Sequence, residues 1–499
     1  MSEISRRDLL KGSLAAVGVG AVSLLGNEAS AKPTSEQSSA ETFDAVIIGA
    51  GCAGLVCAIE TYDRGGKPVV LEKMGNPFGN SVFALGSVAV TGTRMQKAEG
   101  FEDSVDAFYE DMMKVSMNHA DPELVRYYAE NSADAVHWLA DEVGVKFKKL
   151  SQEVYPILSR AHRVDTEGTK GMTGGGMLIR KLLAAIKKRN IPVVYHAKAI
   201  ELLTNNKLEV TGVRALTPDG LKDYNARGGV LIASGGFSGN HEMLTMYMGG
   251  WASNLVTRGS PYVTGENISL TRPLGAQLVN MDQFHGGPIV GATHANPTDL
   301  INAGFGIVVS PQGKRIIDEA ETYVAKAKAL PKLVPQNIAY QVCDSNSENK
   351  KLEGVAQKYV HLNTTLYKAN TLEELAKAAG FPEKEFVTMI KEYNAALDNK
   401  TLDKLVPPNT LKKPYPIKQA PFYAFPFEGG MTATFGGPKI NTRAEIVNTE
   451  RKPIPGLYAA GNAAGGLFYN DYIGGCQLGG ATIFGRVAAR EMVVRSKAA

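Results

Sequence analysis

The sequence predicts an α/β fold built on a Rossmann-like parallel sheet, and three observations carry that expectation. The first is the stretch from Asp44 to Glu72. A short apolar run, Val46-Ile47-Ile48, leads into Gly49-Ala50-Gly51-Cys52-Ala53-Gly54, and a second apolar run, Pro68-Val69-Val70-Leu71, ends on Glu72. The second is the alternation that follows. Apolar positions recur at helical spacing over 101–143 and 177–188, and strand-like runs stand at Pro192-Val193-Val194-Tyr195 and from Leu208 to Val213, after a turn at Asn205-Asn206. The third is composition: 499 residues, 44% hydrophobic and 21% charged, suit a globular chain with room for two domains.

The glycine spacing is specific because each glycine has its own task. In Gly49-x-Gly51-x-x-Gly54 they supply a tight turn, a close backbone approach and tight helix packing, as a pyrophosphate at a helix N-terminus requires. Glu72 follows the second strand about twenty residues on, where a carboxylate accepts hydrogen bonds from ribose hydroxyls. An adenine dinucleotide is therefore expected at Gly49, Gly51, Ala53, Gly54 and Glu72.

The formal net charge of +4 is too small to point to nucleic acid, and the next informative stretch is at the N-terminus. There, Ser5-Arg6-Arg7-Asp8-Leu9-Leu10-Lys11 precedes a mildly apolar stretch from Gly12 to Leu25, and Ala29-Ser30-Ala31 offers small residues for cleavage. This resembles a twin-arginine export signal over 1–31, followed by a polar linker over 32–42. Such export carries folded proteins, so a chain bearing it can take up its dinucleotide before reaching the periplasm. Only four cysteines occur, none in a CxxC or CxxCH pattern, and no metal site is evident. Cys52 and Cys57 read as small packing residues. Redox chemistry then has to come from an organic cofactor or a partner.

The segment from Lys73 to Ser87, with Gly79-Asn80-Ser81 and Ala84-Leu85-Gly86-Ser87, resembles the FAD-containing fumarate reductase and flavocytochrome c family, Ser87 replacing a glycine. The resemblance continues through Val230 to Phe237, through Pro455 to Ala463 and through Gly479 to Ala489. It implies a glutathione-reductase-like FAD-binding domain over 43–283 and 426–499, with an α+β capping domain inserted over 284–425. Cap helices are expected over Thr371 to Gly380 and Pro382 to Asp398, with prolines from Pro407 to Pro416 in the returning linker. It also implies non-covalent FAD, since no histidine lies near Ser81. Further cofactor contacts are expected at Lys73, Asn80, Ser81, Ala84, Gly86, Ser87, Ala233, Ser234, Gly235, Glu266, Gly461, Asn462, Gln477 and Leu478, and at position 200, occupied by Ile200. Thr264-Gly265-Glu266-Asn267 stands where the family has Thr-Gly-Asp-Gly. Glu266 can keep the acidic role, whereas Asn267 needs a backbone that tolerates a side chain.

The family's substrate residues are only partly present. Its first histidine is matched by His285, but Thr432-Ala433-Thr434 replaces its second histidine block. Its proton-relay segment is matched by Thr298 to Asn302, with Asp299 for the acid and Asn302 for the arginine. The position of the family's acid, an arginine, falls on Tyr323, and a substrate-binding arginine falls on Tyr472. Arginine offers a permanent charge and a planar fork for carboxylate, whereas tyrosine offers one neutral hydroxyl with a pKa of about 10. The exchange implies that fumarate is not the substrate.

The run from Tyr472 to Gly479 also resembles the flavin-dependent 3-ketosteroid dehydrogenases. The expectation is a reductase of a small alkene, an enone or an unsaturated monocarboxylate. Tyr323 supplies the proton, Tyr472 hydrogen-bonds the carbonyl oxygen, or the reverse, and His285 orients substrate or Tyr323. Tyr469 is a further candidate, Arg315 and Glu319 are read as a scaffolding ion pair, and His294 as a surface residue. Electrons are expected from a separate donor, a periplasmic cytochrome c or a membrane quinol oxidase, in anaerobic respiration. The alternatives are a ketone dehydrogenase, a fumarate or urocanate reductase, and a flavin electron carrier without its own substrate.

Overall fold

Val46, Ile47 and Ile48 are all buried, because the strand Thr42–Ile48 is enclosed by parallel neighbours on both sides. It pairs with Pro68–Leu71 on one edge and with Gly220–Ile232 on the other. Strands buried on both faces read as unbroken apolar runs instead of alternating ones. The computed structural model describes residues 41–150, 160–302, 304–345 and 350–498. The expected export signal and most of the linker lie outside them, and Thr42 already belongs to the first strand.

This sheet has eight strands. Its main path runs Glu445–Val447, Pro453–Ala459, Gly220–Ile232, Thr42–Ile48, Pro68–Leu71, Val193–Val194, and an antiparallel pair, Lys198–Thr204 and Val210–Thr217, extends from the Gly220–Ile232 strand. The helix Cys52–Asp63 follows the glycine turn and packs on the C-terminal helix Cys476–Ala498. Gly485 makes that approach possible, since a Cβ there would stand 2.7 Å from the Ala53 carbonyl oxygen. Glu60 fastens the two helices by accepting from Arg486 at 2.9 Å and Arg490 at 3.0 Å. The helical region read over 101–143 is two helices, Val105–Val115 and Pro122–Asp141, and the next is Gly174–Lys188.

A second, six-stranded sheet lies mostly in the region expected as the cap. Its path is Phe284–Ile289, Phe422–Thr434, Ile338–Cys343, Ile307–Val309, and Tyr367–Ala369 and Val256–Thr257 also pair with the long Phe422–Thr434 strand. The sheet therefore begins before the expected boundary at 284 and continues beyond 425, because one long strand serves both regions. The two helices expected there from sequence are Leu372–Ala379 and Glu383–Asp398. The first starts on a capping box of Thr371 and Glu374 and stops at Gly380, whose φ of +76° suits glycine. Arg315 and Glu319 form the buried ion pair read from the sequence, and the guanidinium also donates to the Pro407 carbonyl at 2.7 Å. All four cysteines are buried and free.

Candidate active site

The dinucleotide turn is built by backbone contacts that no side chain could share. Gly49 has a φ of +107°, and a Cβ there would stand 2.6 Å from the Ala233 carbonyl oxygen. A Cβ at Gly54 would overlap the Gly49 carbonyl oxygen. Gly51 caps the helix Cys52–Asp63 without a side-chain hydrogen bond, while Ser81 Oγ accepts from Cys52 N at 3.2 Å. The Glu72 carboxylate accepts from Ala50 N and Met74 N, each at 2.9 Å, and burial raises its pKa. These bonds hold it at the end of its strand with lone pairs to spare for ribose.

Across from it, Lys73 Nζ donates to Glu266 at 2.6 Å and to Thr264 at 2.7 Å, tying the first strand unit to the Glu266 helix. Gly265 takes the left-handed position at φ +96°, so Asn267 is helical and its side chain fits; its amide donates to the Ala463 carbonyl at 3.0 Å. Glu266 Oε2, Asn267 Oδ1 and Gln477 Nε2 are buried without a partner. A buried polar atom left unpaired is costly, and a polar cofactor relieves it. Together with the glycine cradle, these atoms fit FAD.

Other expected contacts have different surroundings. Asn80 donates to the Thr432 carbonyl at 2.9 Å and accepts from Ser260 N at 2.7 Å, so its amide bridges two protein segments. Ala84 and Gly86 meet the start of the Gly174–Lys188 helix: Ala84 O accepts from Gly175 N at 2.9 Å, and Gly86 lies against Gly174. Ser87 opens a short strand paired with Arg163. Ser234 turns its hydroxyl to the Gly235 carbonyl, and Gly461 lies against Ala53, with Asn462 beside Gly236. Leu478 is buried in the core. Ile200 is 44% exposed, and the alanine of that strand that faces the core is Ala199.

The second cluster comes from three separate segments. His285 lies on Phe284–Ile289, Tyr323 is the first residue of the helix Tyr323–Leu333, and Tyr472 precedes the C-terminal helix. Thr322 caps the Tyr323 helix by accepting from Ala325 N at 3.1 Å, which fixes where that helix begins. The Tyr323 hydroxyl is 3.5 Å from His285 Nε2, and the His285 and Tyr472 ring centroids are 4.7 Å apart. Phe435 and Phe468 flank Tyr472 at 6.0 and 5.7 Å. Burial raises the pKa of both tyrosines; at Tyr323 it outweighs the opposing charge of Arg258.

Two residues of this cluster had no role assigned from sequence. Asp471 Oδ1 accepts from His285 Nδ1 at 3.0 Å and from Tyr472 N at 2.8 Å. Lys328 steadies that turn by donating to the Asn470 carbonyl at 2.7 Å. The other is Arg258, whose charge acts on both Tyr323 and Tyr472. Its only sequence signal is a cation just before the Thr264 block. Tyr469 packs its ring on His119, centroids 4.7 Å apart, while Asp299 and His294 are exposed. Asn302 closes the short helix Thr298–Asn302, and its side chain is outside the described residues. A cavity of about 440 Å³ on the cap, lined by Lys314, Arg315 and residues of Glu383–Asp398, shares no residue with this cluster. Among the described residues no group of His, Cys, Asp and Glu is placed to hold a metal ion.

The profile of the FAD binding domain family matches residues 44–483. The chain is 31% identical over 458 residues to an NADH:fumarate oxidoreductase of Klebsiella pneumoniae, covering 92% of this chain but only 48% of that longer protein. It is 30% identical over 451 residues to a probable fumarate reductase of Shewanella frigidimarina, covering 90% of this chain and 74% of the relative. Among solved structures, the open conformation of a flavocytochrome c3 fumarate reductase superposes with a TM-score of 0.79 at 27% identity, over 91% of this chain and 79% of the other. A 3-ketosteroid-Δ4-(5α)-dehydrogenase of Rhodococcus jostii superposes with a TM-score of 0.74 at 25% identity, over 92% of this chain and 99% of the other. On the family match over 44–483 and the 30% identity to the Shewanella frigidimarina relative, the chain belongs to the FAD-binding family of the fumarate reductase flavoproteins.

Proposed function

We propose that this flavoprotein reduces a C=C bond conjugated to a carbonyl or carboxyl group. The observation that carries the reading is the line Tyr323, His285, Asp471, with Tyr472 on the same imidazole. FAD, when bound, supplies hydride chemistry to the β-carbon. Tyr323 gives its hydroxyl proton to the α-carbon. Asp471 holds the hydrogen on His285 Nδ1, so neutral His285 turns the lone pair of Nε2 to the Tyr323 hydroxyl and aligns it. Once Tyr323 has given up its proton, the Nε2 lone pair of His285 takes one from water and passes it to the tyrosinate oxygen, which restores both groups. Tyr472 donates to the oxygen on which negative charge grows, in a pocket walled by Phe435 and Phe468, where a hydrogen bond acts with less screening by water.

Structural likeness to a ketosteroid dehydrogenase favours a second reading, in which the same tyrosines desaturate a ketone with a tyrosinate as base. Burial raises the pKa of both hydroxyls, so the tyrosinate that this second reading needs is the scarcer form. We also read the enzyme as exported, on the strength of Arg6-Arg7 and the apolar stretch behind them, and as fed by a separate cytochrome c or quinol-linked donor. Export separates it from cytoplasmic nicotinamide, which supports a terminal reductase of anaerobic respiration.

The test is anaerobic reoxidation of the pre-reduced holoprotein by a panel of fumarate, acrylate, methacrylate, cinnamate, urocanate and neutral enones. Fast reoxidation by monocarboxylates or enones with fumarate inert is the expected result. Fast reoxidation by fumarate contradicts the role given to the two tyrosines, and an inert panel contradicts alkene reduction.

A further inference from the structure

Arg258 is a half-buried cation beside Tyr323 and Tyr472, and among the described residues it has no anionic partner. It follows the short strand Val256–Thr257, and its backbone N–H donates to Met431 O at 2.8 Å. Its Nη1 donates to Thr432 Oγ1 at 2.9 Å and its Nη2 reaches Thr298 Oγ1 at 3.5 Å, both neutral hydroxyls. Its Nε is buried with no partner, and among the described residues no carboxylate pairs with it. Elsewhere in the protein, buried arginines are matched: Arg160 lies against Asp103 and Asp111, and Arg486 against Glu60. A guanidinium withdrawn from water is costly unless paired, so a half-buried one with no carboxylate beside it marks a place where an anion can arrive.

The surrounding strands are shaped for it. The pairing of Phe284–Ile289 with Phe422–Thr434 shifts register between His285 and Gly286, leaving Thr432 as the extra residue on the long strand. Such a bulge re-aims a side chain, and here the Thr432 hydroxyl meets Arg258. Gly287 provides the floor: a Cβ there would stand 2.5 Å from Arg258 Nη1 and 2.6 Å from its Cζ. Gly287 is two residues from His285 on one strand, so the guanidinium covers the face on which His285 lies. The Asn80 amide joins Thr432 O to Ser260 N and so links this corner to the segment after Glu72.

We propose that Arg258 binds the carboxylate of the substrate and makes the enzyme selective for α,β-unsaturated monocarboxylates. This rests on the reading that an alkene is reduced beside Tyr323 and Tyr472. The carboxylate is then the activating group: Arg258 and Tyr472 hold its oxygens, and Tyr323 faces the α-carbon next to it. A second carboxylate finds no cation, since tyrosines occupy the family's arginine positions and Lys328 is engaged by Asn470. A neutral enone leaves the guanidinium unpaired. Both are disfavoured, for opposite electrostatic reasons.

The test is equilibrium binding to the oxidised, FAD-loaded protein, followed by flavin absorbance and calorimetry. The ligands are acrylate, its saturated analogue propionate, its neutral methyl ester, and fumarate. Wild type is expected to bind acrylate and propionate in preference to the ester and fumarate. Arg258→Gln is expected to weaken both monocarboxylates by about 10- to 100-fold, the scale of a lost charged hydrogen bond, without weakening the ester. Arg258→Lys restores part of the loss, because a point charge lacks the planar fork. Gly287→Ala, which displaces the guanidinium without removing it, weakens the same ligands; FAD content and melting temperature show that each variant is folded. Acrylate binding within twofold of wild type in Arg258→Gln overturns the proposal. Propionate binding that depends on Arg258 in a protein that reduces no alkene keeps Arg258 as an anion site and rejects the reaction. Enone reduction indifferent to Arg258 keeps the reaction and rejects this inference.

Discussion

The Nδ1 nitrogen of His285 lies 3.0 Å from the Asp471 carboxylate, and that contact decides what the other end of the ring can do. A carboxylate accepts only, so Nδ1 carries the hydrogen and neutral His285 keeps a lone pair on Nε2, toward Tyr323. The same Asp471 oxygen accepts from Tyr472 N, so one carboxylate places both the imidazole and the second tyrosine.

Asp471→Asn is therefore expected to reduce turnover without a comparable change in substrate KM. An amide can present either oxygen or N–H to Nδ1, and the ring loses its enforced tautomer. A fall of about 10- to 100-fold is expected, by analogy with carboxylates behind metal-bound histidines. The pH profile of turnover should shift as well, a change that a purely structural role for Asp471 would not produce.

The Lys73 to Glu266 contact makes a prediction about pH. Burial raises the Glu266 pKa, but the hydrogen bond and charge of Lys73 outweigh it and leave the carboxyl below its usual value. The folded state thus binds its proton less readily than the unfolded chain. The stabilisation is present above the ordinary carboxylate range and is lost as pH falls through the depressed value. Lys73→Met should remove that dependence and cost about 1–3 kcal/mol at pH 7, the scale of a buried acceptor losing its donor. Lys73→Met combined with Glu266→Gln should recover part of it. Urea unfolding of the apoprotein at pH 7 and pH 4 measures both.

A steric contrast tests the dinucleotide turn. Gly54→Ala drives a methyl into the Gly49 carbonyl, backbone against backbone, and should cost about 1–3 kcal/mol or more together with FAD content. Gly354→Ala, in the helix Lys350–His361 with open space around it, should instead stabilise by up to about 1 kcal/mol. Melting temperature and flavin-to-protein ratio read both variants.

The dinucleotide unit was legible because each of its requirements is local: two buried strands, three glycines and Glu72 within one stretch of chain. His285, Tyr323 and Tyr472 were legible only through resemblance, since they meet from three distant segments. Arg258 carried no comparable signal. Its partners Thr298 and Thr432 are remote neutral residues, and the position next to the Thr264 block gives no hint that a register shift and Gly287 make room for it. Asp471 directly precedes Tyr472, but its value depends on the strand carrying His285. Tyr469 is the weaker candidate of the pair in sequence, and a tight turn at Asn470, φ +57°, sends its ring to His119.

The most direct test of the account is single-turnover reoxidation of the reduced holoenzyme, wild type against Tyr323→Phe, with the best substrate from the panel. The substitution keeps the ring on His285 and removes only the hydroxyl proton. The account predicts a rate about 10²- to 10⁴-fold lower, the scale of a lost general acid, with substrate affinity little changed. A Tyr323→Phe rate within a few-fold of wild type would contradict it and place the proton donor elsewhere in the cleft.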